Sequence, residues 1–178
     1  MVLFTEDILG QLVYVPRAVI LTLAILLAYL FVGEDYQIHF QEKRLYLHTH
    51  PWMISFLFWG TLILTSTLIG RRLQNPYYHI FDNFGLFDED GLNMEMIENV
   101  LFFIPYSFSF IKAFRPSRPW KAAFVLSACS SFFIEIFQLV FWLGSFQLSD
   151  LVHNIAGGMI GCSLWYLGKM ISGNSEKR

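Results

Sequence analysis

The sequence predicts an all-α fold, a polytopic transmembrane helical bundle of about five spans. The chain of 178 residues is 55% hydrophobic and 18% aromatic, a composition more apolar than that of soluble domains. Its mean hydropathy is +0.49. The apolar residues also come in runs that approach the length of about 20 residues needed to cross a bilayer. Together these observations favour a membrane protein.

The predicted spans follow the apolar runs in order. They cover residues 13–32, 52–70, 99–111, 122–143 and 150–171. The third run is short, about 20 Å of helix. Either Glu98 and Lys112 therefore lie at or just inside the membrane boundaries, or the helix is broken near Pro105. We expect a two-span region with an extramembrane loop at 1–95, a three-span core at 96–171 and a cytoplasmic tail at 172–178.

The basic residues predict the orientation of the bundle. With five spans, the loop holding Lys43 and Arg44, the loop at 112–121 and the C-terminal tail lie on one side and carry most of the Lys and Arg residues. The positive-inside rule places this side in the cytoplasm. We expect the N-terminus outside, the C-terminus inside and no cleaved signal peptide.

Several polar residues lie within or at the ends of the last three spans. A carboxylate such as that of Glu135, deep in the fourth run, costs several kcal/mol unless it is protonated, paired or facing water. With the predicted orientation, six polar side chains from three helices converge in the outer half of the membrane. They form the candidate functional pocket: Glu98, Asn99, Glu135, Gln138, Asp150 and Asn154.

Small residues line one face of the last span. Gly157, Gly158 and Gly161 continue the helical stripe that begins with Asp150 and Asn154. Gly157 and Gly161 form a small-xxx-small pair, which lets a neighbouring helix approach closely. We expect this bare face to dock on the preceding helix and to bring Asp150 and Asn154 towards the fourth span.

The polar cluster has a structural and a functional interpretation. Buried polar side chains often hold membrane helices together, each contributing about 0.6 to 2 kcal/mol. Three of the six, however, are carboxylates, those of Glu98, Glu135 and Asp150, and the last three spans carry no Lys or Arg in the outer half to neutralise them. Such a cluster is suited to holding a proton, a metal or a ligand ammonium.

The sequence gives only weak signals for metal binding or catalysis. His48 and His50 lack partners with a recognisable metal-ligand spacing, and the acidic turn at 88–91 lacks the spacing of a calcium loop. Ser131 and His153 could act as nucleophile and base, but a back-bonded helix serine and a bystander histidine are more common. We therefore predict no metal, no cofactor and no established catalytic motif. Nucleic-acid binding is not indicated.

Three ordered blocks of sequence resemble the VanZ-like family of small bacterial membrane proteins. The first contains Asn99, Phe103 and Pro105, and the second is the Glu135 and Gln138 helix. The third carries Asp150, Asn154, Gly157, Gly158 and Gly161. The chain departs from the pattern where Gly144 replaces an Arg, Gln147 and Ser149 replace Asp residues, and Ser107 replaces a Gly. The missing Arg would be the obvious partner of Asp150.

The resemblance implies a link to the envelope but no particular reaction. The family takes its name from a protein associated with low-level resistance to lipid-tailed glycopeptides such as teicoplanin. We expect an outer-leaflet polar pocket that binds an amphiphile or a lipid-linked cell-envelope component and contributes to teicoplanin tolerance. The alternatives are a membrane-embedded hydrolase or transferase using Glu135 as base, and a purely structural membrane protein. The expected partners are membrane lipids or an amphiphilic ligand, and the oligomeric state stays open.

Overall fold

The computed structural model describes residues 13–26, 51–68, 84–85, 87–88, 91–144 and 146–175. Within these ranges the regular secondary structure is helical apart from one hairpin of two-residue strands, so the predicted all-α fold is confirmed. The elements in chain order are α1 Val15–Leu26, α2 Pro51–Leu68, β1 Phe87–Asp88, β2 Gly91–Leu92, α3 Met94–Phe114, α4 Pro119–Val140 and α5 Leu148–Ser175. Lys43, Arg44, His48 and His50 lie outside the described residues.

The burial pattern is that of a bundle surrounded by lipid. Three of the helices, α2, α3 and α4, are long and apolar enough to cross a membrane, and α1 is a shorter apolar helix. Large apolar side chains lie on the outside, with Phe133 75% exposed, whereas serines such as Ser107, Ser127 and Ser131 are completely buried. Without a hydrophobic driving force between helices, small and polar residues form the contacts. The five helices of the described residues are consistent with the prediction of about five spans.

The third span is longer than its uncharged run. Helix α3 continues through Pro105, and both Glu98 and Lys112 lie inside it. The Asn93 side chain caps its start by accepting a hydrogen bond from the Met96 N–H at 3.0 Å. Arg115, in the left-handed conformation with φ 46°, ends it. The helix is therefore unbroken, and the charged residues lie near its two ends.

The end of α4 reverses the chain by a Schellman motif. The Leu143 N–H donates to the Gln138 carbonyl at 2.8 Å, and the Trp142 N–H donates to the Leu139 carbonyl at 3.4 Å. Trp142 takes the left-handed position with φ 58°, where glycine is the usual residue. The turn returns the chain towards α4 and leads it into α5.

The glycine face of α5 packs mainly on α3, not on the preceding helix α4 as we expected. A side chain at Gly157 would collide with the Val100 carbonyl, and one at Gly161 with the Ile104 carbonyl. Gly158 faces both helices, because its missing side chain leaves room for the hydroxyls of Ser127 on α4 and Ser107 on α3. The expectation was wrong because the glycine face of α5 is wide enough to contact two helices, α3 and α4. Pro105 is half-buried in α3, beside this interface.

Two small apolar clusters complete the interior. One joins Ile63 of α2, Phe103 and Tyr106 of α3, and Ile134 of α4, while the other joins Ile111, Ala123 and Cys162. Helix α1 is held to α2 by a hydrogen bond of 2.7 Å between the hydroxyls of Thr22 and Thr61. Helix α3 thus contributes to both clusters and lies at the centre of the bundle.

Candidate functional site

The predicted pocket residues lie at one end of the bundle. Because successive helices alternate in direction, α3 and α5 begin at the end where α4 finishes. We call this end, which contains Glu98, Asn99, Glu135, Gln138, Asp150 and Asn154, the polar end. A hydrogen bond joins Asn99 directly to Asp150. The hydrogen bonds of Glu135, Gln138 and Asn154 described below reach Gln147, Thr67 and Ser131.

Asn99 and Asp150 join α3 to α5. The Asn99 side-chain amide donates to an Asp150 carboxylate oxygen at 2.9 Å. Asp150 lies in the first turn of α5, where the helix dipole favours a negative charge. Asn99 therefore supplies a hydrogen-bond donor to the Asp150 carboxylate. Both side chains are half-buried.

Glu135 lies deeper and joins α4 to the chain that enters α5. Its side chain is only 2% exposed. One carboxylate oxygen accepts the Gln147 backbone N–H at 2.8 Å. That N–H lies just before the start of α5, so Glu135 and Asp150 both lie at the N-terminal end of this helix. The backbone, not the Gln147 side chain, makes this contact, so the Asp-to-Gln departure leaves it available.

Gln138 contacts a different helix from the one we expected. Its side-chain amide donates to the Thr67 carbonyl near the end of α2, at 3.0 Å. The carbonyls of the last helical turn lack partners within their own helix, and Gln138 satisfies one of them. Gln138 therefore ties α2 to α4 at the polar end rather than facing Asp150. A side chain–backbone bond of this kind has no signature in the sequence.

Asn154 is the most deeply placed residue of α5 in the cluster. Its side chain is 5% exposed, and its amide nitrogen donates to the Ser131 hydroxyl of α4 at 2.8 Å. Its amide oxygen, Oδ1, is buried and has no hydrogen-bond partner among the residues the structure describes. An unpaired buried acceptor costs about 1–3 kcal/mol. This atom is therefore a ready acceptor for a donor that enters the site.

Glu98 lies half-buried on α3, one residue before Asn99. It forms the rim of the cluster together with Asn99 and Asp150, whereas Glu135, Gln138 and Asn154 are buried. The cluster thus grades from a half-exposed rim to a buried floor. Carboxylates at both levels can accept hydrogen bonds from an ammonium, hydroxyl or amide group.

Sequence reasoning placed Ser131 and His153 outside the pocket. The structure brings Ser131 into it, because its hydroxyl holds the Asn154 amide. The spacing of four residues between Ser131 and Glu135, on one face of α4, was the available signal. His153 is buried and packs edge-on against Phe84, with ring centroids 6.4 Å apart. Within the described residues, no group of three His, Cys, Asp or Glu side chains could hold a metal ion.

Comparisons with known proteins agree with the architecture. The VanZ/LLP1 family model matches residues 18–169. The chain belongs to the VanZ/LLP1 family. Protein VanZ of Enterococcus faecium is 31% identical over 125 residues, which cover 69% of this chain and 70% of that protein. No solved structure matches the chain.

Family membership extends the resemblance beyond the three motif blocks. The match begins within α1 and ends within α5, so it includes the first two helices, which carry none of the motif residues. Together with the apolar helices, membership in the VanZ/LLP1 family indicates a bacterial membrane protein. Each hydrogen-bonded pair that joins α3, α4 and α5 at the polar end contains at least one residue of the three motif blocks.

Proposed function

We propose that the polar end is an outer-leaflet pocket that binds the polar part of an amphiphile or of a lipid-linked cell-envelope component, and that this binding contributes to teicoplanin tolerance. The observation that carries the proposal is the buried Asn154 Oδ1, which has no partner among the described residues and lies beside the carboxylate-bearing helix α4. A ligand donor would satisfy it. Residues 96–171 would form the core that carries the pocket.

The carboxylates at the polar end favour a ligand that carries hydrogen-bond donors. Glu98, Glu135 and Asp150 supply carboxylates at one end of three helices, and Asn99 orients one of them. A cationic or hydroxyl-rich headgroup would find several acceptors at graded depth, from the rim to Glu135. We assign Glu135 and Asp150 to contact or protonate this group, and Asn99, Gln138 and Asn154 to orient it.

The opposite end of the bundle supports the proposed orientation. It carries cations stacked on aromatic rings, with the Lys112 ammonium 5.4 Å from the centre of the Trp52 ring. Lys121 and Lys169 lie at similar distances over Trp120 and Trp165. Lys and Trp together are typical of a membrane interface, and the excess of cations is typical of the cytoplasmic side. The polar end then faces outwards, with the C-terminus in the cytoplasm.

A structural role is the second candidate, and the hydrogen bonds favour it directly. The pairs Asn99–Asp150, Gln138–Thr67 and Asn154–Ser131 each join two helices. Such pairs stabilise membrane bundles by about 0.6 kcal/mol each on average. This candidate predicts that replacing the pocket residues changes stability alone, whereas the binding proposal predicts a loss of ligand recognition in a folded protein.

The proposal is tested by antibiotic susceptibility in a Gram-positive host. Cells expressing the wild type are compared with cells expressing Glu135→Gln, which keeps the shape and one acceptor oxygen but removes the charge. We expect the wild type to protect against teicoplanin, which carries a lipid tail, and not against vancomycin. The Gln variant should lose this protection at equal membrane abundance.

Glu95→Gln is the matched control. Glu95 is exposed in the first turn of α3, so its replacement removes one charge from the same end of the bundle without touching the floor. Protection should persist in this control. Equal protection by the Glu135→Gln variant, or protection against both antibiotics, would contradict the proposed pocket.

A further inference from the structure

A groove lies on the other side of α4, where α4 faces α2. It has a volume of about 500 Å³ and an almost wholly apolar lining. We call it the lateral groove and define it by Leu64 and Leu68 of α2, Cys129, Phe133 and Phe137 of α4, and Tyr106 of α3. Its volume is in the range typical of small-molecule sites.

The floor of the groove is built by a glycine and by two paired hydroxyls. Gly60 lines it, and a Cβ at Gly60 would come 3.2 Å from the Tyr106 ring, so the missing side chain gives the groove its depth. The Tyr106 hydroxyl and the Ser130 hydroxyl are 3.2 Å apart and hydrogen-bonded. Because these groups bond to each other, an apolar occupant can cover them at little cost.

The groove extends from the polar end towards the middle of the bilayer. Leu68 and Phe137 follow and precede the residues of the Thr67–Gln138 hydrogen bond, which crosses between α2 and α4 at the polar end. From Leu68 to Gly60 the groove follows α2 for about 12 Å, at 1.5 Å per residue. Half of a hydrocarbon core about 30 Å thick is of similar length. The groove therefore matches one leaflet.

The surroundings of the groove determine which molecules reach it. Phe133, Leu64 and Cys129 are exposed on the outside of helices that are long and apolar enough to span the membrane. The medium at that surface is hydrocarbon, and its chains lie along the helices. An apolar chain can thus enter sideways, with its attached polar group at the depth of the pocket.

We propose that the lateral groove holds one acyl chain of the amphiphile whose polar part is bound at the polar end. The inference rests on the proposed function in assigning the chain and the polar part to one molecule. Three observations carry it: the apolar lining, the length of one leaflet, and continuity with Gln138 and Thr67 at the polar end. Burial of the acyl chain in the groove then provides affinity, and the pocket at the polar end determines which polar head is bound.

Photocrosslinking in nanodiscs tests the groove. The probe is a phosphatidylethanolamine, whose head carries an ammonium donor, with a diazirine near the end of one acyl chain, and mass spectrometry maps the labelled residues. In the wild type we expect labelling of Gly60, Leu64 and Cys129 to exceed labelling of Val152 and Ile160, which are exposed on α5 within about 18 Å of its start at the polar end. Cys129→Trp and Leu64→Trp each fill the groove from one wall and should lower labelling at the remaining groove residues by about tenfold.

Phe132→Trp is the matched control, because Phe132 is exposed on α4 but does not line the groove. It should leave the labelling unchanged. Equal labelling in the wild type and both filled variants, or labelling spread evenly over all exposed faces, would overturn the groove proposal. If the filled variants lose labelling and Glu135→Gln does not, the groove holds a chain and the pocket does not bind the head of that molecule.

Discussion

The two sides of α4 differ in how they meet the rest of the bundle. On one side Ser127, Ser131 and Glu135, spaced by four residues, are buried against α3 and α5. On the other side Cys129, Phe133 and Phe137, with the same spacing, line an open apolar groove against α2. One side is closed by small residues and hydrogen bonds, and the other stays accessible to hydrocarbon chains. Because of this difference, one helix presents polar side chains on one side and a surface suited to an apolar lipid chain on the other.

The largest effect is expected on the closed side. Gly161→Leu would drive a side chain into the Ile104 carbonyl, and because backbone cannot move aside, α3 and α5 must separate. Overpacking of this kind costs about 3 kcal/mol, which lowers the melting temperature by roughly 10 °C in a chain of this size. Thermal unfolding in detergent measures it.

Gly168→Leu is the control for this prediction. Nothing lies within 4 Å of a Cβ built at Gly168, which is on the same helix. Its melting temperature should equal or exceed that of the wild type, because leucine favours helix more than glycine does. Similar losses at both positions would mean that the tight α3–α5 contact is not what closes this side.

The next effect is the coupling between Asn99 and Asp150 across α3 and α5. A hydrogen bond to a charged acceptor contributes about 1.5–3 kcal/mol. A double-mutant cycle with Asn99→Ala and Asp150→Ala should give a coupling energy near the lower limit, because both side chains are half-buried. Strictly additive losses would show that the two residues do not hold the polar end together.

A smaller effect on stability is expected at Ser131, and almost none at Phe133, two positions on opposite sides of α4. Ser131→Ala removes the hydroxyl that accepts the Asn154 amide, which should cost about 1 kcal/mol. Phe133→Leu, on the open side, changes only a 75% exposed side chain and should leave the unfolding free energy nearly unchanged. Denaturant titration of both variants checks the order, and the reverse order would refute the assignment of the two sides.

The smallest effect is expected at the link between the two sides. Gln138→Leu removes the hydrogen bond to the Thr67 carbonyl and should cost about 0.6 kcal/mol. The loss should appear as looser packing of α2, measured as faster backbone hydrogen exchange in α2, with the exchange of α5 unchanged. A loss as large as that of Gly161→Leu would show that α2 and α5 are not separable in this way.

The sequence was sufficient to predict the helical membrane fold, because a membrane-spanning helix needs an apolar run of about 20 residues. It identified the partners of Asp150 and Glu135 only by region. Gln138 was assigned to the pocket, and its side chain bonds to the Thr67 carbonyl of α2. The glycine face of α5 was expected on α4 but packs mainly on α3. Such contacts depend on how each helix is rotated about its axis, which the sequence does not show. The lateral groove has no motif, since its residues are ordinary apolar ones whose arrangement appears only in three dimensions.

The central claim is that the polar end retains the polar part of a lipid-tailed ligand. The most direct measurement is the binding of teicoplanin to the protein in nanodiscs, with empty nanodiscs as the baseline and vancomycin as the untailed comparison. The wild type and Glu95→Gln should bind teicoplanin alike and bind vancomycin weakly. Glu135→Gln, folded and equally abundant, should bind teicoplanin at least about tenfold more weakly, since it loses a charged acceptor. Undiminished binding by Glu135→Gln would contradict the account.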